Sequence, residues 1–374
     1  MKKGNIVLLT TPSRESHSKH RQFAAAAREL GLEVRNSPDA RTEAVIPCSD
    51  YRAVDAAVLC QQHGVPGSTP MAARIATHKS LAYRFLESRG LRTLGWQAPL
   101  TDADLLAGMR RPVIVKPDLG SGSFSRYPWG YRVFASARAL RDWLRRNGLL
   151  QGFLDYQQSP RADVGRFLLM EYVPSPVYGV ACLIGDRGVA VYDRHTMKMM
   201  PDSMVVERIL FGERHADEGF ARQVARAFAA LGMRRTVFYV QCVARRGRLY
   251  AIDFNLRPGT LFDLAVAGAG VRFHTPALAY LLGRERAERV RFPRYFGVRR
   301  MNAPLQPGRR EVTFGAGAIP LMSELHYDPS RPYDAGHALP VFAVRCSGWR
   351  DFDRRAEAVI AGTVLNRVRQ AGRR

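Results

Sequence analysis

Apolar and polar positions over the first 65 residues come in blocks that predict strands and helices in turn. Ile6-Val7-Leu8-Leu9 reads as a strand, and residues 22–30 as an alanine-rich helix closed by Gly31. A second strand is expected around 32–34 and another over 56–60, ending at Gln61-Gln62-His63-Gly64. Alternation of this kind predicts a small parallel α/β unit. No Gly-x-Gly-x-x-Gly follows the first strand, so a dinucleotide fingerprint is not expected. Residues 64–70 form a loop that ends in an N-cap threonine and a helix-starting proline. A short helix over 71–76 follows. Thr77 is then placed to cap a second helix, in which Leu81, Ala82, Phe85 and Leu86 make one apolar stripe and Gly90 ends the run.

Farther along, residues 113–115, 167–170, 180–184 and 189–191 are strand-like, the last two joined by the turn Gly185-Asp186-Arg187-Gly188. Residues 223–231 read as an amphipathic helix ended by Gly232, and 351–368 as helical. Residues 237–243 and 249–256 predict a hairpin. With Arg245 opposite Leu249, Gln241 pairs with Asp253, Tyr239 with Asn255 and Val237 with Arg257. Because side chains alternate, one face is apolar (Phe238, Val240, Cys242, Ile252, Phe254) and the other gathers Gln241, Asp253, Asn255 and Arg257.

Composition narrows the class. The 374 residues are 46% hydrophobic and 24% charged, values of a folded globular chain long enough for two or three domains. No apolar run approaches the roughly 20 residues that cross a bilayer. The stretch after Met1-Lys2-Lys3 is too short for a signal peptide, so a cytoplasmic protein is expected. Five scattered cysteines without a C-x-x-C pair point to buried neutral thiols rather than disulfides or zinc. Lys plus Arg is 57 against 33 for Asp plus Glu, a net charge of +24. The cations are spread along the chain without a block or a nucleic-acid motif, so nucleic acid is not the expected partner, and the positive field suits any anionic ligand, a nucleotide or an acidic peptide included.

Nearly all the cations are arginine; the lysines are Lys2, Lys3, Lys19, Lys79, Lys116 and Lys198. A lysine supplies a compact point charge, and three of these lie in segments with a second signal. Lys79 stands in the first turn of its helix, either as a solvated cation or because an anion shares that terminus. Lys116 ends a strand before Gly120-Ser121-Gly122-Ser123, a simple turn or a cradle whose main-chain N–H groups approach phosphate oxygens. Lys198 and Arg194 follow the turn at 185–188. Carboxylate and amide oxygens such as those of Asp253, Asn255 and Gln241 suit Mg²⁺, and an arginine beside them suits a phosphoryl group in transfer. The alternative is a polar, solvated sheet face.

Taken in order, Gly64-Val65-Pro66-Gly67, Val115-Lys116-Pro117 with its Gly/Ser loop, Glu171-Tyr172-Val173 and Asp253-Phe254-Asn255-Leu256-Arg257-Pro258-Gly259 resemble the ATP-grasp superfamily. That group includes D-alanine–D-alanine ligase, biotin carboxylase and carbamoyl-phosphate synthetase. The resemblance spans residues 1–285. It implies an α/β (α+β) fold with a Rossmann-like pre-grasp domain over 1–70, a small subdomain over 71–170 and a large one over 171–285. Residues 286–374 are then an extension, with a tail helix that packs on the core or makes a homodimer contact. It further implies that Lys79, Lys116 and the loop Gly120, Ser121, Gly122, Ser123 meet ATP phosphates, and that Glu171, Tyr172 and Val173 meet adenine. Gln241, Asp253 and Asn255 would hold Mg²⁺ or Mn²⁺, and Arg257, with Lys198 or Arg194, would serve the γ-phosphate. Two departures stand out: Val177 occupies the place of the acid that takes ribose, and Gln241 that of a metal glutamate. The implied activity is ADP-forming ligation of a small-molecule carboxylate to an amine through an acyl phosphate. The alternatives are carboxyphosphate chemistry on bicarbonate, or a degenerate fold that binds nucleotide or an anionic partner without turnover. Met197-Lys198-Met199 has no carrier domain around it and is not read as a biotinylation site, and His17 and His20 are read as surface residues near the first turn.

Overall fold

The computed structural model describes residues 4–11, 14–119, 127–199, 206–211, 218–257, 266, 268–285, 296–300, 308–322, 324–327 and 340–367. The described strands fall into four sheets. The first is parallel, with β1 (Asn5–Leu9) between β2 (Glu33–Arg35) and β3 (Thr42–Pro47). Helix α1 (Arg14–Glu29) packs Phe23, Ala26 and Ala27 against it. The strand expected at 56–60 is instead the middle of helix α2 (Ala53–His63). Its buried residues Ala53, Ala56, Ala57 and Cys60 recur at helical spacing, and Gly64 closes it at φ 65°. A short apolar run does not by itself distinguish strand from helix, and here the spacing decided.

Thr69 caps α3 (Pro70–Thr77), its hydroxyl accepting from the Ala72 amide at 3.2 Å. Thr77 does not cap the next helix; its hydroxyl donates back to the Ala73 carbonyl. The start of α4 (Lys79–Ser88) is satisfied from another segment, where Asp118 accepts from the Ser80 amide at 2.7 Å and from the Ser80 hydroxyl at 3.0 Å.

The second sheet has the order β4 (Trp96–Gln97), β7 (Phe167–Glu171), β5 (Val113–Pro117), β6 (Val133–Phe134), with antiparallel pairing. Helices α5 (Asp102–Ala107), α6 (Ala137–Arg146) and α7 (Leu150–Gln158) accompany it. Leu140, Leu144, Phe153 and Phe167 belong to its separate core.

The third sheet is antiparallel, eight strands in the order β12, β11, β8, β9, β10, β13, β17, β15. These are β8 (Val177–Gly185), β9 (Gly188–Met199), β10 (Val206–Phe211), β11 (Thr236–Arg245), β12 (Arg248–Asn255), β13 (Phe296–Arg300), β15 (Ile319–Met322) and β17 (Val341–Arg345). Helices α8 (Glu218–Ala230) and α9 (His274–Leu281) pack on it. β13, β15 and β17 therefore continue the sheet begun at Val177. The last sheet joins β14 (Gly308–Thr313) to β16 (Glu324–Tyr327) and β18 (Val364–Arg367). The helix expected over 351–368 is α10 (Trp349–Ala361); it stops at Gly362, and Val364 begins β18.

Candidate active site

The β11–β12 hairpin pairs Gln241 with Asp253 and Tyr239 with Asn255 as the alternation predicts, but Arg245 lies opposite Arg248, not Leu249. The difference is a bulge: Gln241 faces Asp253 while Cys242 faces Ala251, which leaves Ile252 as the extra residue. Its carbonyl accepts from the Lys116 ammonium at 3.0 Å and the Tyr83 hydroxyl at 2.7 Å. Lys79 Nζ lies 3.5 Å from Asp253 Oδ1. Thus β5 and α4 send their lysines to adjacent residues of β12. Lys79, Lys116, Asp253, Asn255 and Arg257 are all buried. Burial brings the Lys116 ammonium down to about 8; Asp253 opposes that shift and Lys79 adds to it.

Arg257, just beyond β12, is held by a residue that no motif indicated. Its Nε donates to Asp50 Oδ2 at 2.9 Å, and Asp50 Oδ1 accepts from the Leu256 amide at 2.7 Å. Asp50 opens a 3₁₀ turn directly after β3. Ligands of parallel sheets collect at the carboxyl ends of strands, so reading 42–47 as a strand would have drawn attention to it.

Glu171 ends β7 and turns its carboxylate to two arginines, Arg111 at 3.1 Å and Arg245 at 2.8 Å. Beyond it, residues 172–176 border a cavity of about 320 Å³. Leu94, Ile114, Met170, Val243 and Ile252 give the cavity apolar walls; Tyr172, Val173 and Val177 also line it. Gly120, Ser121, Gly122 and Ser123 lie outside the described residues.

Strand alternation separates the remaining candidates. Gln241 pairs with Gly179, and Gly179 with His195, so these share a face with Asp253. Arg194 and Lys198 belong to the opposite face of β9. Arg194 meets Glu218 at 2.7 Å. The Lys198 ammonium lies 3.8 Å from Asp353 and 4.2 Å from the centre of the Trp349 ring, although Lys198 also borders the cavity. The face toward Asp253 instead carries His195, bonded through Nδ1 to Asp193 at 2.9 Å and through Nε2 to the Tyr239 hydroxyl. The choice of cations by residue type passed over this histidine.

The donor set fits one hard divalent ion: the Asp253 carboxylate, the directly paired Gln241 amide and, two residues along the same face of β12, the Asn255 amide, beside lysines that suit phosphate. A single carboxylate gives that ion one anionic protein ligand.

The chain is similar throughout to several solved structures. An L-amino acid ligase from Bacillus licheniformis matches at 13% identity and TM-score 0.67, over 97% of this chain and 98% of that one. N5-carboxyaminoimidazole synthetase from Staphylococcus aureus, complexed with ADP, matches at 10% and 0.65, over 97% and 98%. The biotin carboxylase domain of the Hydrogenobacter thermophilus 2-oxoglutarate carboxylase, complexed with MgADP and bicarbonate, matches at 15% and 0.66, over 98% and 91%. No family model and no curated protein matches the sequence. At these identities the likeness establishes the fold: the chain has the ATP-grasp fold. Among the described residues, no helix is long and apolar enough to cross a membrane.

Proposed function

We propose that this chain is an ADP-forming carboxylate–amine ligase that activates a small carboxylate, of an amino acid, peptide or similar metabolite, as an acyl phosphate. The observation that carries this reading is the convergence of Lys79 and Lys116, from two different elements, on the bulged end of β12 beside Asp253, Asn255 and Arg257. Likeness to an L-amino acid ligase supports it.

The cavity at 171–177 takes the adenine between apolar walls. With the Glu171 carboxylate engaged by two arginines, main-chain groups of Glu171, Tyr172 and Val173 meet the base. The phosphates extend toward Lys116 and Lys79. Carboxylate and ATP are both anions. At 4 Å, two like unit charges cost about 4 kcal/mol at an effective dielectric near 20, roughly a thousandfold in rate. Lys79, Lys116 and Arg257 relieve that repulsion. A Mg²⁺ or Mn²⁺ ion held by Asp253 and Asn255, with Gln241 beside them, would neutralise phosphate charge and orient the oxygens.

The carboxylate oxygen attacks the γ-phosphorus as the bond to the ADP oxygen breaks, and Arg257 steadies the equatorial charge. The amine then attacks the acyl carbon, phosphate leaves, and the amine loses a proton. No protein nucleophile is needed; positioning and charge stabilisation are the protein's part.

The test is release of ADP and phosphate from Mg-ATP across pools of amino acids and small carboxylates, with Asp253→Ala as control. Release that depends on one pool and disappears in the variant is the expected result. Mg-ATP binding without release from any pool would favour a nucleotide-binding protein without ligation. An absence of ATP binding overturns the reading.

A further inference from the structure

We infer that Asp50, in the 3₁₀ turn that follows β3 of the first sheet, is a positioning residue of the phosphoryl site, holding Arg257 and the chain at the end of β12 in the geometry the transferred phosphate meets. This rests on the nucleotide reading above and extends it to a part of the molecule outside the nucleotide motifs.

Both oxygens of Asp50 are engaged by consecutive residues. Oδ1 accepts from the Leu256 amide at 2.7 Å, and Oδ2 from Arg257 Nε at 2.9 Å. One carboxylate therefore sets the path of the main chain just past Asn255 and the orientation of the next guanidinium. The side chains of Asp50 and Arg257 are only 7% and 10% exposed. At such burial an ion pair is not the screened contact of a protein surface, and loss of one member leaves the other uncompensated. The second sheet reaches the same point: Tyr131, at φ 54° just before β6, is buried there. Burial raises its hydroxyl's pKa, with further upward pushes from Asp253, Tyr51 and Asp50 and an opposing one from Arg257. Asp50, Tyr131 and Arg257 thus bring three sheets to one point beside Asp253.

The plain alternative is that Asp50 only staples the first sheet to the third. A staple affects folding and every ligand alike. A positioning residue affects the part of binding that depends on the γ-phosphate and spares the adenine cavity, which Asp50 does not line.

The experiment is titration calorimetry of Mg-ADP and of Mg-AMP-PNP, the β,γ-imido analogue of ATP. It uses wild type, Asp50→Asn, Asp50→Glu, Arg257→Gln and the double variant Asp50→Asn/Arg257→Gln. Asp50→Asn keeps an acceptor for the Leu256 amide and removes the charge from Arg257. The double variant removes both charges, so it stays testable where the single one fails to fold. We expect Mg-ADP affinity to stay within about twofold of wild type in every variant. The extra affinity of the analogue over ADP should fall about tenfold in Asp50→Asn and in Arg257→Gln, no further in the double variant, and less in Asp50→Glu. The Arg257 Nε–H resonance should move in Asp50→Asn, which reads the pairing without any substrate. An Asp50→Asn protein that keeps the analogue's extra affinity, or loses ADP and analogue equally, overturns the inference. A wild type that binds neither nucleotide overturns the nucleotide reading, and the inference with it.

Discussion

Lys116 carries a charge that burial works against. Its ammonium is held by the Ile252 carbonyl and lies in a site it shares with Lys79 and Asp253, and burial brings it down to about 8 from 10.5. A phosphate ligand favours the charged form. Nucleotide binding should therefore be flat below pH 7 and lose up to about tenfold in affinity per pH unit above 8, as an isothermal titration with ADP at several pH values would read. Lys116→Met should bind more weakly and lose that slope. The contribution to folding has the opposite sense. Since the folded value lies below the unfolded one, the shift favours the native state increasingly as pH rises from about 8 toward 10.5, and that gain is lost as pH falls through 8. The identity of this lysine was legible in the sequence because it is one of six among the chain's 57 basic residues. Its environment was not, since the carbonyl that holds it comes from a bulge 136 residues away.

At the scale of elements, the side-chain contact between β9 and β11 depends on a glycine. Gly179 lies on β8 between them, and a Cβ there would collide with both the Tyr239 hydroxyl and the His195 ring. That gap lets the Asp193–His195–Tyr239 chain of bonds cross the middle strand. Gly179→Ala should cost about 1–3 kcal/mol, the range for an overpacked core, read as a lower urea midpoint with an unchanged slope. Hairpin pairing near Asp253 was legible because alternation fixes which residues share a face. The Arg245–Arg248 end was not, because a bulge depends on what the freed carbonyl will hold. Likewise, residues 56–60 taken alone lack a pattern that excludes either element, and the helical spacing of Ala53, Ala56, Ala57 and Cys60 over the longer run decides for helix. The same face rule, applied to β9, would have pointed to His195 and away from Arg194 and Lys198.

At the scale of the whole molecule, the C-terminal residues complete a sheet. β13 pairs with β10 through Arg208–Arg299, Ile209–Val298 and Leu210–Gly297, and β17 follows. Helix α10 packs Phe352 and Ala356 against Leu210 and Phe342, and Asp353 meets Arg208 at 2.6 Å. A chain cut after residue 285 would expose β10 as an unpaired apolar edge. It should be recovered mainly as aggregate, whereas the full chain runs as a discrete species on size-exclusion chromatography. What the sequence determined by itself was local: most strands and helices, the cations and oxygen donors, and the pairing of Gln241 with Asp253, all of which follow from periodicity and residue type within a few positions. Only the tertiary structure decided that Lys79, Lys116 and Asp50 meet Asp253, Ile252 and Arg257 from separate elements, and that β13, β15 and β17 share the sheet of Asp253. Such long-range encounters depend on how sheets pack and where bulges turn the chain, and no spacing along the sequence carries that information.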